Sequence, residues 1–359
     1  MRMNIQGFFV FLLLLILFLS GCNSREDNEN HEKVKIMDMY GRSVEVPEKV
    51  KKIAGVGPGA LRLLVYMDLV SLVSGVEDVE LRAGRPYSFA HPELLEKPII
   101  GPYMGGDSEL LTMNNPDVIF MAFMSAADAD ELQERTGIPV VGLKSGNLRN
   151  ARDTLYRALG LIGQITGREE RADTLRSFIE DEIKTLNNRT AKFQSITNAY
   201  VGGISYRGTH GIASTQAFFA PFDFVNVTNV AESLMEEEPN DPIGIYVDVE
   251  QIITWKPDYL FLDAAGLDQI RPAIASDTPL MQTIEAFARG NVYTLMPHNW
   301  YATNFENVLI NGLFIGTIAY PEAFRDVNFE KKAREIYRFV LGKDVFDQMK
   351  DFYDGWEKL

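Results

Sequence analysis

Short runs of apolar residues alternate with amphipathic stretches along most of the chain. The apolar runs are bounded by Pro, Gly or Asp, which is typical of buried strands. They lie at residues 51–57, 98–101, 117–122, 138–143, 199–204, 224–227, 258–263 and 291–295. Helical periodicity fills many of the intervals between them, so the pattern predicts an α/β fold with mainly parallel sheets.

The middle of the chain has a different pattern, in which two helices follow each other without a strand between them. Residues 152–165 and 168–193 show helical periodicity, with a break near Gly167. The second segment places apolar side chains on one stripe and charges opposite. At 1.5 Å per residue it would extend about 39 Å, and it lies where two similar halves would need a connector.

The two halves share a motif. Residues 109–120 align with residues 250–261 at a constant offset: each segment starts a short helix with a glutamate and ends it at Pro-Asp before an apolar strand. Proline ends the helix because the residue before it disfavours the α region. A repeated supersecondary unit favours two related lobes.

The N-terminus has the pattern of an export signal. Residues 8–19 are all apolar, a run too short for the roughly 20 residues that span a bilayer and of the length of a signal-peptide core. The sequence Leu-Ser-Gly-Cys that ends at Cys22 resembles the lipobox of bacterial lipoproteins, in which the cysteine is lipidated. We therefore expect a signal peptide over residues 1–21 and a lipid-anchored tether over residues 22–34.

Composition narrows the classes of partner. The net charge of −15 argues against nucleic acid, because phosphate binding needs a basic face. Hydrophobic residues make up 46% of the chain and charged residues 24%, as in an ordinary globular protein. The single cysteine excludes an internal disulfide and a zinc site built from several thiolates.

The lipobox, the entry segment at residues 39–47, the repeated Pro-Asp motif and the long central helix together resemble a known family. It comprises the substrate-binding proteins of ABC transporters for iron-siderophores, haem and cobalamin. The resemblance implies two α/β lobes with mainly parallel sheets, joined by one long rigid helix, and a ligand cleft between the lobes. The implied parts are an N-terminal lobe at residues 35–167, the connecting helix at 168–193 and a C-terminal lobe at 194–330. C-terminal helices at residues 331–359 would pack on the lobes.

The function implied by the resemblance is transport without catalysis. The chain would be a monomeric lipoprotein on the extracytoplasmic face of the cell membrane, or in the periplasm if an outer membrane exists. It would have no cofactor of its own, and it would capture a ferric siderophore, haem or a corrinoid for an ABC importer. Glu109 and Glu250 match the exposed glutamates, one on each lobe, that bind arginines of the importer permease in this family.

Loops that follow strands provide the candidate ligand residues, because ligands of open α/β sheets bind beyond the carboxyl ends of the strands. Aromatic rings stack on a flat chelate, arginines pair with its oxygens, and Tyr or His can take an open metal position. The candidates are Gly57, Arg82, Arg85, Tyr87, Tyr103, Tyr206, Arg207, His210, His298, Trp300 and Tyr301.

Two other ligand classes stay open. An oxyanion such as molybdate or tungstate would suit the arginines Arg82, Arg85 and Arg207. A bare metal ion would need His91, His210 and His298 to converge. An enzyme is not expected. Residues 203–208 resemble a nucleophile elbow, but Arg207 stands where that motif requires glycine.

Overall fold

The structure is a computed structural model that describes residues 32–193, 197–205, 208–235, 244–276 and 281–359. Its strands are β1 Lys33–Met37, β2 Ser43–Pro47, β3 Ile53–Val56, β4 Val73–Glu77, β5 Ile99–Gly101, β6 Val118–Ala122, β7 Val140–Leu143, β8 Asn198–Gly202, β9 Ser214–Thr215, β10 Thr228–Asn229, β11 Ile245–Tyr246, β12 Tyr259–Asp263 and β13 Val292–Leu295. Its α-helices are α1 Ala60–Tyr66, α2 Pro86–Ala90, α3 Ser108–Asn114, α4 Ala126–Thr136, α5 Arg152–Thr166, α6 Glu169–Thr190, α7 Ala220–Asp223, α8 Val249–Trp255, α9 Leu267–Ser276, α10 Glu285–Ala288, α11 Phe305–Ala319, α12 Phe329–Leu341 and α13 Phe346–Tyr353.

A five-stranded parallel sheet organises the N-terminal lobe, with the strand order β5-β4-β3-β6-β7. Strands β3, β6 and β7 are buried along their whole length, as expected for a parallel sheet covered on both faces. The chain order reverses between β3 and β6. A ligand site of this sheet is therefore expected at the carboxyl ends of these two strands.

A four-stranded parallel sheet organises the C-terminal lobe, with the order β10-β8-β12-β13. Its chain order reverses between β8 and β12. The remaining strands form two antiparallel pairs, β1 with β2 and β11 with β9. The predicted α/β fold with mainly parallel sheets is confirmed.

One predicted strand is wrong. Residues 224–227 follow the short helix α7 in a turn, in which the backbone N–H groups of Val225 and Val227 both donate to the carbonyl of Phe222 at 3.1 Å. Their side chains are apolar because they pack in the core. The edge strand β10 begins only at Thr228.

Helix α6 runs between the two sheets in sequence and is a single α-helix of 22 residues. Gly167, with φ 67°, ends α5 in the left-handed conformation that glycine adopts without a Cβ penalty. Helix α6 buries Leu175, Ile179 and Ile183 along one stripe and packs on α5 and α11.

The repeated Pro-Asp motif has a structural cause that is the same in both lobes. The Asp117 carboxylate accepts hydrogen bonds from the backbone N–H groups of Lys51 and Lys52, at 2.6 and 2.8 Å, just before β3. The Asp258 carboxylate accepts one from Asn198, the first residue of β8, at 3.0 Å. Each aspartate therefore fixes the start of the neighbouring strand.

The last helices return to the N-terminal lobe. Helix α12 packs on α11 and on α1, and α13 packs on α2. Within the described ranges, no helix is both long and apolar enough to cross a membrane.

Candidate functional site

A cleft of about 160 Å3 lies between the two lobes, and both lobes line it. The N-terminal lobe contributes Phe123, which follows β6, and the loop 145–149, which follows β7. The C-terminal lobe contributes residues 204 and 205, which follow β8, and the segment 218–221. The cleft thus lies beyond the carboxyl ends of strands at both points where the sheet order reverses.

The floor of the cleft includes the segment 298–304, which we call the floor segment. The buried side chain of Arg62 donates to the carbonyls of Trp300 and Tyr301, at 2.8 and 3.1 Å, and to Oδ1 of Asn304 at 2.9 Å. Tyr301 and Ala302 have φ values of 52° and 72°. The guanidinium compensates for this unusual backbone by satisfying its carbonyl groups.

A buried carboxylate ties the floor segment to the N-terminal lobe. Glu77, at the end of β4, accepts hydrogen bonds from the Tyr301 hydroxyl at 2.7 Å and from the backbone N–H groups of Gly57 and Gly105 at 3.0 and 3.1 Å. Burial raises the pKa of Glu77 to about 7, and these three donors oppose that rise.

The loop after β7 is held rigid by its own side chains. Oδ1 of Asn147 accepts hydrogen bonds from the backbone N–H groups of Arg149 and Ala151, at 2.8 and 3.0 Å. This local bonding is typical of asparagine in turns. The loop therefore presents Arg149 to the cleft from a fixed backbone.

Arg149 reaches across the cleft to the C-terminal lobe. Its Nε donates to Asp223, its Nη2 donates to Glu232 at 3.3 Å, and its guanidinium carbon lies 4.7 Å from the centre of the Phe218 ring. Among the described residues that line the cleft, Arg149 is the single formally charged side chain.

Uncharged hydrogen-bonding groups line the rest of the cleft. The hydroxyl oxygens of Ser145 and Ser205, one from each lobe, are buried and have no hydrogen-bond partner among the described residues. Burial lowers the pKa of His298 to about 4, so its imidazole is neutral near pH 7. The lining therefore suits a solute that accepts several hydrogen bonds.

Phe123 lies at the cleft with 54% of its surface exposed. Its φ of 62° is unusual for a bulky residue, and such backbone strain concentrates at functional sites. The exposed ring is available for stacking on a solute.

Of the residues predicted from the sequence to bind the ligand, the structure places His298 in the cleft lining. Trp300 and Tyr301 belong to the floor segment, where the Trp300 indole donates to the carbonyl of Ala83 at 3.0 Å. Gly57 is buried outside the cleft lining, and its backbone N–H donates to Glu77.

The other predicted ligand residues that the structure describes do not line the cleft. Arg85 and Tyr87 are buried, and both contact Glu80, the tyrosine hydroxyl at 2.7 Å and the guanidinium at 3.1 Å. Arg82 and Tyr103 are exposed. Tyr206, Arg207 and Cys22 lie outside the described residues.

The three histidines do not come together. His91 contacts Glu93 and the carbonyl of Leu341, the His210 ring lies 5.2 Å from that of Tyr246, and His298 lies in the cleft. In the part of the chain that the structure describes, no group of three or more His, Cys, Asp or Glu residues could hold a metal ion.

Glu109 and Glu250 occupy equivalent positions in the two lobes. Each is exposed in the first turn of a seven-residue helix, α3 or α8. Each helix ends at a residue with φ 50°, Asn115 or Lys256, directly before the Pro-Asp motif. The two helices therefore share their length and the backbone at their C-terminus, whereas the side-chain cap that Asp107 makes on α3 has no counterpart at Asp248 on α8.

The functional candidates missed at the sequence level are Phe123, Ser145, Arg149 and Ser205. A positional signal was present for all four, because each follows a predicted strand at its carboxyl end. Serine and a lone phenylalanine carry little chemical signal in a loop. Arginine, histidine and tyrosine carry more, and they make up most of the predicted ligand residues.

Comparison with known proteins identifies the family. The periplasmic binding protein family profile matches residues 82–298. The molybdate-binding protein MolA of Haemophilus influenzae is 21% identical over 325 residues, which are 84% of this chain and 89% of MolA. Its structure with bound molybdate has a TM-score of 0.69 at 19% identity, covering 87% of this chain and 98% of that one.

Two further solved structures share the fold. A periplasmic solute-binding protein from Veillonella parvula has a TM-score of 0.69 at 19% identity, covering 90% of this chain and 97% of that one. The petrobactin-binding protein YclQ of Bacillus subtilis has a TM-score of 0.59 at 16% identity, covering 81% and 99%. Proteins of this family are extracytoplasmic solute-binding proteins that work with ABC importer permeases. Because the family profile covers more than half of its length, this chain belongs to the periplasmic binding protein family.

Proposed function

We propose that this chain captures a small solute in the cleft between its lobes and delivers it to the permease of an ABC importer. The observation that carries the proposal is the lining of the cleft. Both lobes contribute to it, and each provides a buried hydroxyl, Ser145 or Ser205, without a partner among the described residues. A solute with several acceptor oxygens would satisfy both hydroxyls at once.

The solute class favoured by this lining is a small oxyanion such as molybdate or tungstate. The charged side chain at the cleft, Arg149, is a cation, and the other described polar groups are neutral. The volume of about 160 Å3 is small beside the roughly 300–1,000 Å3 of sites for drug-sized ligands. The similarity to a molybdate-binding protein over most of both chains supports the same choice.

A metal chelate is the second candidate. The exposed ring of Phe123 offers a stacking surface for a ferric siderophore, haem or a corrinoid, and the fold is similar to that of a petrobactin-binding protein.

Delivery completes the proposal. Glu109 and Glu250 would bind arginines of the permease, and the lipid on Cys22 would hold the protein at the membrane. Lobes over residues 35–167 and 194–330 would stay connected by the helix between them. Two acidic contacts, one per lobe, would orient the cleft toward the permease and steer encounter.

A panel of solutes tests the ligand class. The purified protein is titrated by calorimetry and thermal shift with molybdate, tungstate, sulfate, phosphate, ferric siderophores, haem, cobalamin and Ni²⁺. Molybdate or tungstate at 100 times its dissociation constant should stabilise the protein by about 2.7 kcal/mol. Stabilisation by chelates alone would favour the second candidate, and an absence of any response would contradict solute capture of either class.

A further inference from the structure

The ion pairs of Arg149 join the two lobes across the cleft. Arg149 belongs to the N-terminal lobe, whereas its partners Asp223 and Glu232 belong to the C-terminal lobe. The arginine side chain is 25% exposed, and those of Asp223 and Glu232 are 40% and 45% exposed. Glu232 is the more exposed of the two acids, and accessibility to water reduces the net stability that an ion pair contributes.

The two contacts of Arg149 with these acids differ in length. Arg149 makes its shorter contact with Asp223, through Nε, and its longer one with Glu232, through Nη2 at 3.3 Å. The Phe218 ring holds the guanidinium in place by a cation–π contact that does not depend on either acid. Glu232 can therefore leave while Arg149 keeps its position beside the cleft.

We propose that the solute displaces Glu232 from Arg149, so that Arg149 pairs with the solute anion and Glu232 acts as a competitor built into the site. This inference rests on the proposed oxyanion function. Arg149 can present N–H donors in a planar fork that matches two oxygens of an oxyanion. Displaced Glu232 regains water at its half-exposed carboxylate. Ser145 and Ser205 would complete the contacts from the two lobes.

Three variants test the exchange, with binding of molybdate or tungstate measured by calorimetry. Arg149→Gln should weaken binding about 10- to 100-fold, since a hydrogen bond to a charged group is lost. Glu232→Gln should strengthen binding about three- to fivefold, since it removes a competing charge of a half-exposed pair. Glu180→Gln is the matched control: it breaks a similar pair with Arg152, outside the cleft lining, and should leave affinity unchanged.

The gain of affinity in Glu232→Gln is the decisive readout, because damage to the fold would only weaken binding. Unchanged or weaker binding by Glu232→Gln, or unchanged binding by Arg149→Gln, would overturn the exchange while the oxyanion function stands. The wild-type titration separates the two failures. If the wild-type protein binds no oxyanion, the proposed solute class and the exchange both fall.

Discussion

Asp263 provides a test of the electrostatics at the carboxyl end of the C-terminal sheet. It is the last residue of β12 and is 2% exposed. Its Oδ1 accepts a hydrogen bond from the backbone N–H of Ala265 at 2.9 Å, whereas its Oδ2 is buried without a partner among the described residues. Burial raises the pKa of this carboxyl to about 7, and the hydrogen bond from Ala265 opposes the rise.

This raised pKa makes stability depend on pH in a defined direction. The ordinary aspartate pKa is 3.8, so between about pH 4 and 7 the unfolded chain has released the proton that the folded protein keeps. The contribution of Asp263 to stability is therefore full below pH 4 and is lost as the pH rises through 7. At 1.36 kcal/mol per pKa unit, the loss between pH 5 and pH 8 is about 2 to 3 kcal/mol.

Asp263→Asn removes this titration and retains the acceptor for Ala265. The unfolding free energy of the variant minus that of the wild type should increase by about 2 to 3 kcal/mol from pH 5 to pH 8. Urea unfolding followed by tryptophan fluorescence at both pH values measures the difference. Glu77, whose pKa is also about 7, is present in both proteins and cancels.

The matched control is Asp351→Asn, because Asp351 is exposed on α13. This substitution should change stability by less than about 0.5 kcal/mol at either pH. A difference between Asp263→Asn and the wild type that is the same at pH 5 and pH 8, or that decreases with pH, would refute the reasoning.

Three further predictions address binding, docking and backbone strain. Ser145→Ala and Ser205→Ala should each weaken oxyanion binding about tenfold in calorimetry. Thermal stability should not fall, because neither hydroxyl bonds to a described residue. An affinity equal to that of the wild type would count against the assigned lining. Arginine at both Glu109 and Glu250 should abolish solute uptake by cells while affinity in solution stays unchanged, and normal uptake would exclude docking through them. Gly57→Ala should lower the unfolding free energy by about 1–3 kcal/mol, because φ is 85° and the added Cβ would meet a carbonyl of β6; an unchanged urea midpoint would contradict this.

Most of the N-terminal sheet was predictable from the sequence, but one central strand was not. Strands β3, β6 and β7 are buried apolar runs bounded by Pro, Gly or Asp, and periodicity finds such runs. Strand β4 reads Val-Ser-Gly-Val-Glu, and its mixed composition hides it. Its terminal Glu77 is buried only because donors from distant parts of the chain converge on it, and no local pattern encodes that convergence.

The site was harder to predict than the fold for a related reason. The chemistry of arginine, tyrosine and histidine suits ligand binding, which is the reason for predicting them as ligand residues. The side chains of Arg85 and Tyr87 instead contact the buried carboxylate of Glu80. Chemical type alone does not distinguish an arginine that binds a ligand from one that supports the fold. Position in the chain indicates that Arg149 lines the cleft, because its loop follows β7 and strand ends converge on the cleft in this topology.

The connections between the lobes differ enough in strength to decide where the cleft opens. On the floor, buried Arg62 donates three hydrogen bonds to the floor segment and buried Glu77 accepts one from Tyr301. A hydrogen bond to a charged group contributes about 1.5–3 kcal/mol. The ion pairs of Arg149 with Asp223 and Glu232 are partly exposed, and accessibility to water weakens an ion pair. We therefore expect opening to separate the Arg149 contacts first, with the floor segment as the hinge. With α6 as a single helix between the lobes, we expect the movement to be a small rotation about the floor segment.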